Sequence, residues 1–109
     1  MAEDREIDPA AEGRRIVNKY LSEIGWAKEL KRQTQRQLIP PIEKDVKMRR
    51  GDEIELAADE DFGAEIDRLR HEKDKLSKAI LEEVYNKLKK RSDLSFFGKK
   101  IVNRLKENL

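Results

Sequence analysis

The 109-residue chain contains no cysteine, one histidine, three prolines and five glycines. Without thiols there is neither a disulfide framework nor a thiolate zinc site, which fits a reducing cytosol. No apolar run approaches the ~20 residues that a membrane span needs. The acidic opening Met1-Ala2-Glu3-Asp4-Arg5-Glu6 does not have the form of a secretory signal. Together these absences lead us to expect a soluble cytoplasmic protein. Aromatic residues are only 6% of the chain, so each is a large share of the area available for burial. The length excludes a dinucleotide-binding dehydrogenase, a TIM barrel or a protein kinase, and suits one small domain, 1–109.

What the chain has in abundance is charge. Asp, Glu, Lys and Arg make up 44% of it, against roughly 25% in an average globular domain. Leu, Ile, Val and Phe still form about a quarter of the residues, above the roughly 20% at which disorder becomes the default. The net charge of +2 conceals a block pattern. Residues 1–12 sum to −4, 13–50 to +7, 51–67 to −8 with no base at all, and 68–109 to +7. Such blocks mark interaction segments, or else acidic stretches that lie against basic helices of the same molecule. The alternation in sign favours the second reading.

Helical periodicity dominates. Asp8 can cap a helix, Pro9 suits its first position and Glu12 complements its positive end. Ile16, Val17, Tyr20, Leu21, Ile24, Ala27 and Leu30 then form one apolar stripe, giving a first helix over 9–39 behind an acidic tail, 1–8. Gly25 beside Trp26 suggests a close approach by another segment. Pro40-Pro41 ends the helix. Residues 40–60 read as an irregular acidic connector. Val46-Lys47-Met48 and Glu53-Ile54-Glu55-Leu56 alternate apolar with charged, which fits a short hairpin as well as an extended strap. Ile66, Leu69, Leu76, Ile80, Leu81, Val84 and Leu88 recur at helical spacing and define one long amphipathic helix over about 61–91. Lys73 falls where a heptad requires an apolar residue, so a coiled coil would be imperfect. Ser92-Asp93 offers a cap for a short amphipathic helix over 93–109, with Leu94, Phe97, Ile101, Leu105 and Leu109 on one face. The fold class is therefore all-α: two or three helices forming a helical hairpin or an imperfect coiled-coil bundle.

The chemistry-bearing patterns are sparse. His71 with Asp67 and Asp74 does not make the Glu-x-x-His pair of a di-iron bundle, because position 68 is Arg. Asp59, Asp61, Gly63, Glu65 and Asp67 alternate like a calcium loop, but Ala64 and Arg70 occupy the places that need Gly and Glu. Asp61-Phe62-Gly63 and Arg50-Gly51-Asp52 are chance tripeptides. There is no phosphate-binding loop and no Gly-x-Ser-x-Gly, and Glu82 and Glu83 point to different helix faces. Neither a catalytic site, a metal, a cofactor nor a small-molecule substrate is expected. Nothing longer than a tripeptide matches a known motif.

The expected role is a non-enzymatic helical interaction module, an adaptor or assembly subunit that binds a protein partner or itself. Its contacts are expected from Trp26, Leu30, Leu76, Ile80, Phe96, Phe97, Ile101 and Leu105, with the three aromatics buried in a core or interface. Two alternatives stand beside it. Basic faces, above all Lys99, Lys100 and Arg104, could contact nucleic-acid phosphates. The last helix, apolar on one side and basic on the other, could lie on an anionic membrane surface.

Overall fold

A computed structural model describes the backbone of residues 7–36 and 41–109, and the side chains of residues 7–33 and 50–109. The expectations for residues 1–6 of the acidic tail, and for 37–40, lie outside the described residues. The described chain is all-helical, and it has four helices rather than two or three: α1 (Pro9–Arg36), α2 (Pro41–Glu72), α3 (Lys75–Leu88) and α4 (Phe96–Asn108).

Helix α1 starts as its sequence requires. Asp8 accepts a hydrogen bond from the Ala10 amide at 3.1 Å, and its own carbonyl accepts from the Glu12 amide at 3.0 Å. The expected stripe is buried at Ile16, Val17, Tyr20, Ile24 and Ala27.

Two expectations about the middle of the chain are overturned. Residues 41–60 are not an irregular connector or a hairpin but the first part of α2, with Pro41 in the first turn, where its missing N–H is not needed. The alternating apolar residues misled because the true buried stripe is disguised. It runs through Gly51, Ala58, Asp59, Phe62, Ile66 and Leu69, so its N-terminal half holds two small residues and an acid. Leu56, part of the alternating pattern, is exposed.

The long helix over 61–91 is in fact broken. Lys73 adopts φ 54°, in the left-handed region that stops a helix, and Asp74 caps the next one. Asp74 Oδ1 accepts the Ser77 amide at 2.6 Å, while Ser77 Oγ donates back to Glu72 at 2.8 Å. This exchange satisfies one backbone donor at the start of α3 and ties it to the end of α2. The last helix is shorter than expected as well. Its cap is Ser95, whose Oγ accepts from the Gly98 amide at 3.0 Å, and Ser92-Asp93 belong to the loop before it.

Helix α1 packs along both α2 and α3, and α4 lies across α2 and α3. The core gathers Ile16, Val17, Tyr20 and Ile24 with Phe62, Ile66 and Leu69 of α2, Ile80, Leu81, Val84 and Leu88 of α3, and Leu94, Ile101 and Leu105. Tyr20 and Phe62 stack with ring centroids 4.3 Å apart. The bundle is elongated, 58 × 31 × 22 Å, because a helix of 32 residues is itself about 48 Å long. Close approach occurs at Gly13 and not at Gly25. A Cβ on Gly13 would lie 2.7 Å from that of Glu83 on α3, whereas one on Gly25 would meet nothing within 4 Å.

Candidate functional site

A buried polar clasp joins three helices. Asp59 sits on α2 one turn before Phe62, so helical spacing points it inward with the apolar stripe. The Tyr20 hydroxyl of α1 donates to Asp59 Oδ1. Ser95 Oγ donates to the same carboxylate, 2.7 Å from Oδ2 and 2.9 Å from Oδ1, and lies 3.2 Å from the Tyr20 oxygen. Two hydroxyl donors thereby satisfy a carboxylate that has no ion-pair partner among the described residues. Burial, and next the hydrogen bond to Asp59, push the Tyr20 phenol well above its ordinary pKa. Gly98 is needed for this approach, because a Cβ there would lie 2.1 Å from the Tyr20 oxygen. The clasp fixes the start of α4 and therefore decides what α4 shows to solvent.

What it shows is an apolar surface. Phe96 is 67% exposed and Phe97 43%, and the two rings meet edge to face with centroids 5.6 Å apart. Leu56 of α2, 38% exposed, lines shallow depressions with both phenylalanines on one side and with Phe97, Lys100 and Arg104 on the other. The Lys100 ammonium lies 4.7 Å from the Phe96 centroid and 5.7 Å from that of Phe97. On the α2 side the rim is acidic. Lys31 bridges to Asp52 and, at 3.1 Å, to Glu55. The hydrogen bond to Asp52, reinforced by Glu55, raises the Lys31 pKa against the effect of burial.

The expected contact residues divide into two groups. Ile80, Ile101 and Leu105 are buried in the core, and Leu30 and Leu76 are half-buried. Phe96 and Phe97 are exposed together, whereas Trp26, 57% exposed, is not part of their surface. None of the three aromatics is in the core, which corrects that part of the expectation. Lys99, Lys100 and Arg104 are exposed on α4, and Arg104 already faces Asp67 at 3.6 Å. His71 Nδ1 lies 2.7 Å from the Asp67 carbonyl oxygen, a contact within its own helix. Among the described residues no cluster of three His, Asp or Glu side chains could hold a metal, and no helix is long and apolar enough to cross a membrane.

The clasp residues were not foreseen as a group. Asp59 was readable from its place three residues before Phe62 and seven before Ile66. Ser95 was readable as a cap directly before an apolar pair. The meeting with Tyr20, 75 residues from Ser95, left no trace in the sequence. No family model, curated protein or solved structure matches the chain.

Proposed function

We propose that this chain is a non-enzymatic protein–protein interaction module, an adaptor or assembly subunit, that receives an amphipathic helix of a partner on its α2–α4 face. The observation that carries the reading is the joint exposure of Phe96, Phe97 and Leu56 on an otherwise highly charged surface. Exposed aromatics set in a charged rim are the composition of an interface centre, where phenylalanine is enriched and charge depleted. The rim specifies the chemistry of the incoming helix. Lys99, Lys100 and Arg104 call for acids along one edge, and Asp52 and Glu60 call for bases along the other. A membrane role for α4 is less well supported, because Ile101 and Leu105 are buried within the bundle and do not face outward.

A photo-crosslinking residue at position 97, with a control at position 26, identifies the partner and its contacting segment. A synthetic helix of that segment should bind with micromolar affinity. Binding should weaken at least about tenfold in Phe96→Ser/Phe97→Ser, the effect of losing interface anchors worth more than 1 kcal/mol. Crosslinking equal at both positions, or peptide binding indifferent to the double substitution, overturns the reading. Crosslinks only to a second copy, with a dimer in sedimentation equilibrium, would make the face a self-association surface instead.

A further inference from the structure

The α1–α3 side of the bundle has a different character. Arg14 and Asn18 on α1 and Asn86, Lys87, Lys90 and Arg91 around the end of α3 line an open groove of about 550 Å³. The two basic stretches are about 70 residues apart in sequence and meet only because α3 folds back along α1. Asn86 and Lys87 lie in the last turn of α3 and Lys90 in the turn just after it, with Arg14 and Asn18 of α1, one helical turn apart, across the groove. Arg14, Lys87 and Lys90 have no ion-pair partner among the described residues, and Arg91 pairs only with Asp93 at 3.2 Å. Lys89 also lines the groove, and its ammonium lies 5.1 Å from the Tyr85 ring centroid. Among the described residues Glu83 is the single carboxylate there, half-buried beneath Gly13.

We infer that this groove binds the phosphate backbone of duplex nucleic acid without reading its sequence. Three features choose that occupant among polyanions. The groove is a set of cations and amide donors, which phosphate oxygens satisfy. Among the described residues its one apolar lining residue, Val17, is 3% exposed, so neither an apolar helix nor the acyl region of a bilayer finds a surface to bury. The Tyr85 ring is half-buried and covered by Lys89, which leaves no stacking platform for unpaired bases. What remains is attraction to the densest regular array of negative charge, a duplex with one phosphate charge per ~1.7 Å. This inference is independent of the α2–α4 docking face, and either can fail without the other.

Fluorescence anisotropy with a labelled DNA duplex of about 20 base pairs tests it, with dissociation constants expected between about 1 and 100 μM at physiological salt. Engagement of three to four phosphates sets a slope of log K against log salt of about −2.7 to −3.6 for the unmodified protein. In Arg14→Gln/Lys87→Gln/Lys90→Gln, all exposed or half-exposed positions, affinity should fall at least about tenfold and the slope should approach −1. The comparison variant Lys99→Gln/Lys100→Gln/Arg104→Gln should stay within about twofold of the parent, its exposed cations lying outside the groove. Circular dichroism on both variants confirms unchanged helicity. Absence of binding at low salt, equal loss in the α4 variant, preference for the single strand, or tighter binding to phosphatidylglycerol vesicles each overturns the inference.

Discussion

The two flanks of α1 dispose of charge in opposite ways. Towards α2, cations meet acids: Lys31 holds Asp52 and Glu55, Arg15 approaches Glu65 at 4.0 Å, and the buried Asp59 carboxylate is answered by two hydroxyls. Towards α3, Arg14, Lys87 and Lys90 line a groove with no acid paired to them among the described residues. Charge that cancels along the sequence therefore does not cancel in space. The acidic block 51–67 lies wholly on α2, so it neutralises only what α2 touches. Arg104 of α4 shares in this through Asp67, and the groove between α1 and α3 does not. Net charge near zero is thus compatible with one apolar, charge-balanced face and one strongly positive face on the same small bundle.

The largest effect should come from disturbing the α2 flank at its clasp. Gly98→Ala forces a methyl group into the Tyr20 hydroxyl and should destabilise the protein by about 3 kcal/mol in chemical denaturation. Tyr20→Phe alone should cost about 1–3 kcal/mol, because Asp59 loses a donor while remaining buried. Combined, the two should cost at least about 1 kcal/mol less than their sum, since the second removes the atom that the first strikes. Strict additivity would mean that the start of α4 is free to shift, and that the clasp does not fix the aromatic face.

The clasp also has a pH signature. The Tyr20 pKa is raised in the folded state, so the neutral phenol contributes stability that is complete below the unfolded value near 10. As pH rises past that value the unfolded chain releases a proton that the folded one keeps. Stability should then fall by about 1.4 kcal/mol per pH unit from this group. Other groups titrate in the same range, so the measure is the difference between the parent and Tyr20→Phe in urea melts from about pH 9 to 11. The parent should show the steeper loss. Parallel slopes would show that the Tyr20 hydroxyl reaches solvent.

Helices α2 and α3 are separated by two residues, Lys73 and Asp74, and the first of them is in an unfavourable conformation. Lys73, at φ 54°, carries a side chain where glycine is favoured. Lys73→Gly should raise stability by about 0.5–1 kcal/mol and leave the fold unchanged, as read by thermal melting and far-ultraviolet dichroism. A loss of stability would indicate that the chain prefers a continuous helix at this point.

Lys73 also shows how far the sequence could be read. The all-helical class, the start of α1 and the core positions from Ile66 to Leu88 follow from periodicity. The interruption at Lys73 did leave a signal, a charged residue on the apolar seam followed by Asp74 and Ser77 at capping distance. No proline or glycine reinforces it, and the apolar spacing resumes in phase beyond it, so the stripe alone implies one rod. Helix α2 was hidden for the opposite reason. Gly51, Ala58 and Asp59 occupy inward positions without apolar bulk, while Ile54 and Leu56 alternate as strands do. The exposure of Phe96 and Phe97 could not be foreseen, because an apolar pair at a helix start reads equally as core. Their exposure depends on tertiary contacts, the Tyr20–Asp59–Ser95 clasp and the burial of Ile101 and Leu105, that no local pattern encodes.

The smallest effect is the one that tests the comparison most directly. Neutralising a cation on each flank should move stability in opposite directions. Lys31→Gln leaves Asp52 and Glu55 close together without their shared cation, and should destabilise by about 0.5 kcal/mol at low salt. Lys90→Gln removes one member of an uncompensated cluster and should be neutral or stabilising by a few tenths of a kcal/mol, roughly the scale of a like-charge contact on a helix surface. Both differences should shrink as ionic strength rises, since the Debye length falls from about 30 Å at 0.01 M salt to about 3 Å at 1 M. Paired urea melts at two salt concentrations read them out. If Lys90→Gln destabilised the protein as Lys31→Gln does, Lys90 would have an acid partner in solution. The α1–α3 groove would then be a second neutralised flank, not a positive one.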